Sequence, residues 1–399
     1  MFPTTQPTTP FRNSPSIDAL YPGYHQPREA VEQELEVVGE KKDKTDVPLE
    51  LLRSVILKCS DTTSNMLKYS DTTLNSYKEI TASWYAPTIA YAPTQVFPPV
   101  RHLPGHDRKR ILVTGGAGFV DRLMFMGGSK TAVAHWIGHP NFELIRHDVV
   151  DPFMIECDQI YHLACPASPV AYQYNSIKTM KTNFMGTMNM LGLAKRTKAR
   201  FLLSSTSEVY GSPEQHPQKG KRVAEALTYG YARENGVSVR VARIFNTYGP
   251  RMSPSDGRLV SNFIMAAIRG QPLEIYGDGN QTRSLMYVLD LVEGLIRLMN
   301  SEHPSVAESP VNLGSDDEQP VRVWAQLVID IVQQLSLKTP TVSSHIIHKP
   351  PLPDDPPRRR PDTSKARDSL AWQPQWSAQD GLKDTAKFFF HLVHSGYSS

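Results

Sequence analysis

From residue 110 onward, short apolar runs alternate with stretches whose apolar side chains recur at helical spacing. Ile111-Leu112-Val113 is the first such run, and 142–145, 159–163, 200–203 and 237–244 read as strands of the same kind. Amphipathic helical stretches at 179–195 and 221–234 lie between them. Strand, helix and strand in succession return the chain to its starting end, so such strands pair in parallel and bury both faces. The spacing predicts an α/β fold, a Rossmann-type, doubly wound parallel sheet. Beyond Tyr248 the rhythm turns irregular, with Gly277-Asp278-Gly279-Asn280 as a turn and late helices expected at 321–335 and 377–394. A smaller C-terminal substrate-binding lobe, mainly 249–395, is expected to close over the carboxyl edge of the sheet within one domain spanning 106–399.

Residues 1–105 have a different texture. Met1-Phe2-Pro3-Thr4-Thr5-Gln6-Pro7-Thr8-Thr9-Pro10 opens a stretch rich in Pro, Thr and Ser, with one apolar cluster at 49–57 able to form a short helix. So little apolar surface does not offset the chain entropy lost on ordering, and a mostly disordered N-terminal arm is predicted. The mixed run Glu40-Lys41-Lys42-Asp43-Lys44 reads as a solvated stretch. A net charge of +3, dispersed along 399 residues, argues against nucleic acid as a partner. Cys59, Cys157 and Cys165 show no CxxC spacing, so neither a disulfide framework nor a metal site is expected. There is no apolar run of about eighteen residues and no basic-then-apolar leader. The expectation is a soluble cytoplasmic chain without a membrane segment.

Open α/β sheets gather their ligands at the carboxyl ends of strands. After the first strand, Gly115-Gly116-Ala117-Gly118 lets the backbone pass close to a pyrophosphate at the start of the next helix. The dinucleotide fingerprint asks for a third glycine where Asp121 stands, and for an acid about 20 residues further on. Arg122-Leu123-Met124-Phe125-Met126-Gly127-Gly128-Ser129-Lys130-Thr131 offers no acid and no strand. His147-Asp148-Val149-Val150 follows a strand and suits an edge contact to adenine. His162-Leu163-Ala164 ends another strand, with His162 reading as a hydrogen-bonded core residue. Ser204-Ser205-Thr206-Ser207-Glu208-Val209-Tyr210-Gly211 brings hydroxyls and a carboxylate to the end of the Phe201-Leu202-Leu203 strand.

Further strings carry a resemblance. They are Asp158-Gln159-Ile160-Tyr161-His162-Leu163-Ala164-Cys165-Pro166-Ala167-Ser168-Pro169, Lys181-Thr182-Asn183 and the run at 205–211. Arg243-Ile244-Phe245-Asn246-Thr247-Tyr248-Gly249-Pro250-Arg251-Met252 follows, with Asp256-Gly257-Arg258 and 276–283 after it. With these strings in this order, 97–399 resembles the extended short-chain dehydrogenase/reductase superfamily and, within it, the UDP-glucuronate decarboxylase family.

The resemblance implies a lyase that forms UDP-xylose and carbon dioxide from UDP-glucuronate. Tightly bound NAD would oxidise C4 of the sugar and later be regenerated there, the 4-keto intermediate losing its C6 carboxylate in between. It implies catalytic roles for Thr206 at the C4 oxygen, Glu208 as acid/base or positioning group, Lys221, and Arg283 toward the carboxylate or the enolate. Gly115, Gly118, Phe119, Val120, Asp148, Val149, Leu163 and Lys221 would bind the cofactor. Tyr172, Asn183, Asn246, Arg251, Arg258, Tyr276, Arg283 and Arg359 would bind the sugar or the UDP. A homodimer through the helices at 179–195 and 221–234 is also implied.

The sequence departs from that pattern twice. The superfamily places a tyrosine four residues ahead of its lysine, and Pro217 stands there ahead of Lys221. The preceding Glu214-Gln215-His216-Pro217-Gln218 reads as loop, and Tyr229 and Tyr231 lie too far along the helix to replace the missing phenol. The matched strings break cleanly near 120/121 with 126/127 and at 218/219, the pattern of lost segments and not of scattered drift. Activity of the chain as written is therefore in doubt. A related sugar-nucleotide dehydratase or epimerase, and a non-catalytic partner of an intact relative, stand as alternatives.

Overall fold

Ile111–Thr114 (β1), Gln159–His162 (β2), the helices Ser176–Lys181 (α1) and Thr187–Thr197 (α2), Arg200–Thr206 (β3), His216–Asn235 (α3) and Val239–Ile244 (β4) follow the expected alternation of strand and helix. In this computed structural model the described residues are 108–115, 139–165, 175–210, 216–336, 344–351 and 358–394, without the side chains of 216–219 and 358–359. The expected arm, its helix at 49–57, and Gly118, Phe119, Val120 and Tyr172 lie outside them.

The second half adds Thr247–Tyr248 (β5), Leu259–Ile268 (α4), Leu273–Tyr276 (β6), Thr282–Ser284 (β7), Met286–Tyr287 (β8) and Val288–Asn300 (α5). After these come Val311–Leu313 (β9), Glu318–Pro320 (β10), Val321–Leu335 (α6), Ile346–Lys349 (β11), Arg358–Arg359 (β12), Ser364–Leu370 (α7) and Ala378–His394 (α8).

The main sheet has the order β1-β2-β3-β4-β9, and every pair is parallel. Alternate side chains serve opposite faces, as the pleat requires. Ile160, Phe201, Leu203, Val239 and Val241 pack with Met190, Leu191 and Ala194 of α2 and Ala224 of α3. Tyr161, Leu202 and Ala242 pack on the other face with Leu291, Leu295 and Leu298 of α5, Leu370 of α7, and Trp372. This is the doubly covered Rossmann-type α/β sheet that the spacing predicts. A separate core gathers α4, β6, α6 and α8 around Phe263, Ile264, Leu273, Trp324, Val328, Leu382 and Phe389. It closes the lobe.

Several expectations need correction. Residues 142–145 form no strand. A strand exists only with a neighbour to pair with, and this segment has no ladder partner among the described residues. The helix expected at 179–195 is broken at Thr182–Gly186 by a π-helical turn that separates α1 from α2. Helix α3 begins at His216, so His216, Pro217 and Gln218 are helical and not loop. Proline is tolerated there because the first turn of a helix has unpaired N–H groups anyway. β3 runs on to Thr206, three residues past the expected end, and so contains the first hydroxyls of the run. No helix among the described residues is long and apolar enough to cross a membrane.

Candidate active site

A cavity of about 1740 Å³ opens at the carboxyl ends of β1 to β4, with α4, β6 and β7 on its far side. Thr206, Glu208, Lys221 and Arg283 all line it, together with Gly115, Asp148, Val149, Leu163, Asn246, Arg258 and Tyr276. Asn183 and Arg251 do not. Asn183 sits on the π-helical turn, fully buried, with both amide atoms lacking a hydrogen-bond partner. It faces Gly220, where a Cβ would lie 3.0 Å from the amide nitrogen, so a larger residue there would force Asn183 to shift. Arg359 is described by its backbone alone, which lies on β12 beside β7 and pairs with Arg283.

Gly115 turns the chain out of β1 with φ of +85°, and a Cβ there would lie 2.6 Å from the Ala164 nitrogen. Only glycine fits such a turn. Val149 and Val150 are held from below by Asn189, which donates to both carbonyls at 3.0 and 2.8 Å. Lys221 is buried and donates from Nζ to the Ser204 carbonyl at 2.7 Å, which ties α3 to the end of β3. Gly115, Asp148, Val149, Leu163 and Lys221 all line the cavity, and their chemistry fits a dinucleotide.

His162 is a core residue, as its position suggests. Its ring bonds Thr114 Oγ1 at 2.7 Å and Thr187 Oγ1 at 3.2 Å. Burial, aided by the nearby Lys221 charge, lowers its pKa to about 3, so the imidazole stays neutral. Tyr229 and Tyr231 pack on the α3 side of the sheet and do not line the cavity. The Tyr229 hydroxyl is buried without a partner, and burial raises its pKa. Neither tyrosine replaces a phenol ahead of Lys221.

The cavity carries more positive than negative charge. Arg146, Lys178, Lys221, Arg258, Arg269 and Arg283 face three carboxylates, Asp148, Glu208 and Glu274. Such an excess suits a ligand bearing a diphosphate and a further acid.

Sequence reasoning missed a cluster behind the run. Ser205 donates to Glu225, and Glu225 pairs with Arg243 at 2.7 Å. The signal was available: Glu225 is four residues past Lys221, so both look out from one face of α3.

Fold and site define a nucleotide-binding α/β protein of the sugar-nucleotide class. A family model described as GDP-mannose 4,6 dehydratase matches residues 128–385. In solved structures, an epimerase from Methanothermobacter thermautotrophicus shares the fold with a TM-score of 0.63 and 25% identity, covering 72% of this chain and 94% of that one. A UDP-glucuronic acid 4-epimerase from Bacillus cereus, solved with UDP-glucuronic acid and NAD, shares it with a TM-score of 0.61 and 24% identity, covering 71% and 99%.

Sequence relatives are nearer. UDP-glucuronic acid decarboxylase 1 of Danio rerio is 52% identical over 330 residues, 74% of this chain and 76% of that protein. UDP-glucuronic acid decarboxylase 1 of Arabidopsis thaliana is 50% identical over 312 residues, 70% of this chain and 69% of that one. The chain belongs to the UDP-glucuronic acid decarboxylase family.

Proposed function

We propose that the chain binds UDP-glucuronate beside NAD and converts it to UDP-xylose and carbon dioxide. The observation that carries this reading is the convergence of Thr206, Glu208, Lys221 and Arg283 on one cavity with an excess of cations. The catalytic unit would be 106–399, with its substrate lobe mainly from 249–395; the separate core around Trp324 supports a lobe in that range, while α5, β9 and α7 of the same range belong to the main sheet and its core.

When bound, NAD supplies reversible hydride acceptance at C4 of the sugar, and a C4 ketone lies β to the C6 carboxylate, the arrangement from which carbon dioxide leaves. Gly115, Asp148, Val149 and Leu163 would hold the dinucleotide, and Gly118, Phe119 and Val120 are proposed to bind it as well. Lys221 would hold its nicotinamide ribose. Thr206 hydrogen-bonds the C4 oxygen and stabilises charge there. Arg283, whose rigid fork matches a carboxylate, holds C6 in place. Glu208 lies two residues past Thr206 and serves C5 as acid/base or positioning group. Asn246, Arg258 and Tyr276, which line the cavity, would complete the sugar and UDP contacts, whereas Asn183 and Arg251, assigned to them by the resemblance, lie outside its lining; Tyr172 and Arg359 keep that assignment from the resemblance alone.

Pro217 in the tyrosine's place removes the group that takes the C4 hydroxyl proton. Loss of a general base costs about 10²–10⁴-fold, so turnover is slow. The test is incubation of the full chain with NAD and UDP-glucuronate labelled at C6. Slow release of labelled carbon dioxide with equimolar UDP-xylose is expected. Conversion to an epimer, or loss of water with the label retained, contradicts the reading.

Pro217 also favours a second reading, a subunit that binds the nucleotide sugar without turning it over and pairs with an intact relative. Tight binding without label release, together with co-purification of the relative, distinguishes it.

A homodimer is supported by an apolar stripe. Ile177, Met180, Phe184 and Met188 recur at helical spacing along α1, the π-helical turn and α2, all exposed, with Val223 of α3 exposed as well. Neither Cys157 nor Cys165 forms a disulfide among the described residues, which suits a reducing compartment such as the cytoplasm.

A further inference from the structure

The two residues of the run that serve the sugar are flanked by residues tied elsewhere. Thr206 and Glu208 open on the cavity. Ser205, one position earlier, donates its hydroxyl to Oε1 of Glu225 at 2.5 Å. Arg243 is the register partner of Ser205 across β3 and β4 and closes on the same carboxylate. Its Nε donates to Oε1 at 3.0 Å and its Nη2 to Oε2 at 2.7 Å, a two-pronged contact.

The other side of that guanidinium meets the far end of the run. Its central carbon lies 4.5 Å from the centroid of the Tyr210 ring, a cation–π distance. The Tyr210 hydroxyl donates to Oδ1 of Asn312 at 2.8 Å, which fixes the ring from beyond. One ion pair therefore grips the residue before Thr206 and the residue two past Glu208. Between these grips the chain changes from strand to a single 3₁₀ turn, Ser207–Tyr210, so Glu208 has no ladder of its own.

Energetics say what such a pair is for. Glu225 is buried and Arg243 partly buried. A buried ion pair yields little net stability, because desolvating both charges cancels most of their attraction. What it supplies is a fixed geometry, since neither charge can move without leaving the other buried and unpaired.

We propose that Glu225 and Arg243 are positioning residues, holding Thr206 and Glu208 against the uronate end of a bound nucleotide sugar. The proposal rests on the function given above. It gives Glu225 and Arg243 no contact with the substrate.

The test is isothermal titration of the full chain, NAD present, with UDP-glucuronate and with UDP separately. The parent is compared with Glu225→Gln, Arg243→Lys and Ser205→Ala. Preference for UDP-glucuronate over UDP is expected to fall about tenfold or more in Glu225→Gln and Arg243→Lys, the scale of a hydrogen bond to a charged group. Affinity for UDP alone is expected to stay within about threefold. Ser205→Ala leaves the ion pair intact and is expected to lose less in the same direction; it decides the matter if either charge variant fails to fold. An unchanged preference in folded variants overturns the proposal. So does an equal loss for both ligands with a lower unfolding temperature, the mark of a merely structural pair. A parent chain that binds UDP with no preference for UDP-glucuronate defeats the proposed function itself, before any substitution is made.

Discussion

Pro217 stands four residues ahead of Lys221 on one helix, in the position from which a side chain shares the lysine's face. Lys221 already reaches the Ser204 carbonyl at 2.7 Å, so the cation is in place and its usual phenol is not. Pro217→Tyr is expected to raise label release from UDP-glucuronate by about 10²-fold or more, with little change in KM. Steady-state kinetics of the two proteins check this. An unchanged rate would mean that a phenol at this one position does not supply the base.

Arg283 is held with its guanidinium at the cavity, where Nη1 donates to the Thr282 carbonyl at 2.6 Å. A lysine there keeps the charge but loses the fork. Arg283→Lys is expected to weaken UDP-glucuronate binding by about 10–100-fold while leaving UDP-glucose nearly unaffected. Parallel titrations with the two sugars measure it, and an equal loss for both would remove Arg283 from carboxylate recognition.

Much of this was legible beforehand, for physical reasons. Buried parallel strands are nearly continuous apolar runs, so β1, β2 and β4 are plain, and Val321–Leu335 falls where its periodicity places it. The π-helical turn at Asn183 has no such signature, because one extra residue per turn barely disturbs an apolar pattern. The start of α3 was misread because Pro217 looks like a helix breaker when only the interior of a helix forbids it. Residues 142–145 have the composition of a strand, but composition does not supply a neighbour. In the site, Thr206, Glu208 and Arg283 were found through their strings, whereas Arg243 was seen only as part of one. Its bond to Glu225 joins residues 18 apart in sequence, which no local pattern encodes.

His162 makes stability depend on pH. The unfolded imidazole takes its proton near 6.5, while the buried ring holds out to about 3. Between these values the unfolded chain binds the proton that the native chain refuses. Stability is therefore intact above about pH 6.5 and is lost as pH falls, by about 2 kcal/mol at pH 5. Urea unfolding of the parent and of His162→Gln at pH 5 and pH 7 checks it: the variant should lack this part of the pH dependence, and equal slopes would contradict it.

The stripe from Ile177 to Met188 gives a further test. Phe184 is exposed on the π-helical turn, away from the cavity. Phe184→Glu is expected to convert a dimer to a monomer in sedimentation while UDP binding is retained. A parent chain that sediments as a monomer would remove the stripe from self-association.

The most direct measurement is a crystal structure of the chain with UDP-glucuronate and NAD. The uronate carboxylate is expected within hydrogen-bond distance of Arg283, about 2.7–3.2 Å, with the C4 oxygen against Thr206 and Glu208 beside C5. A sugar lying outside the cavity, its carboxylate turned to solvent, would contradict the account.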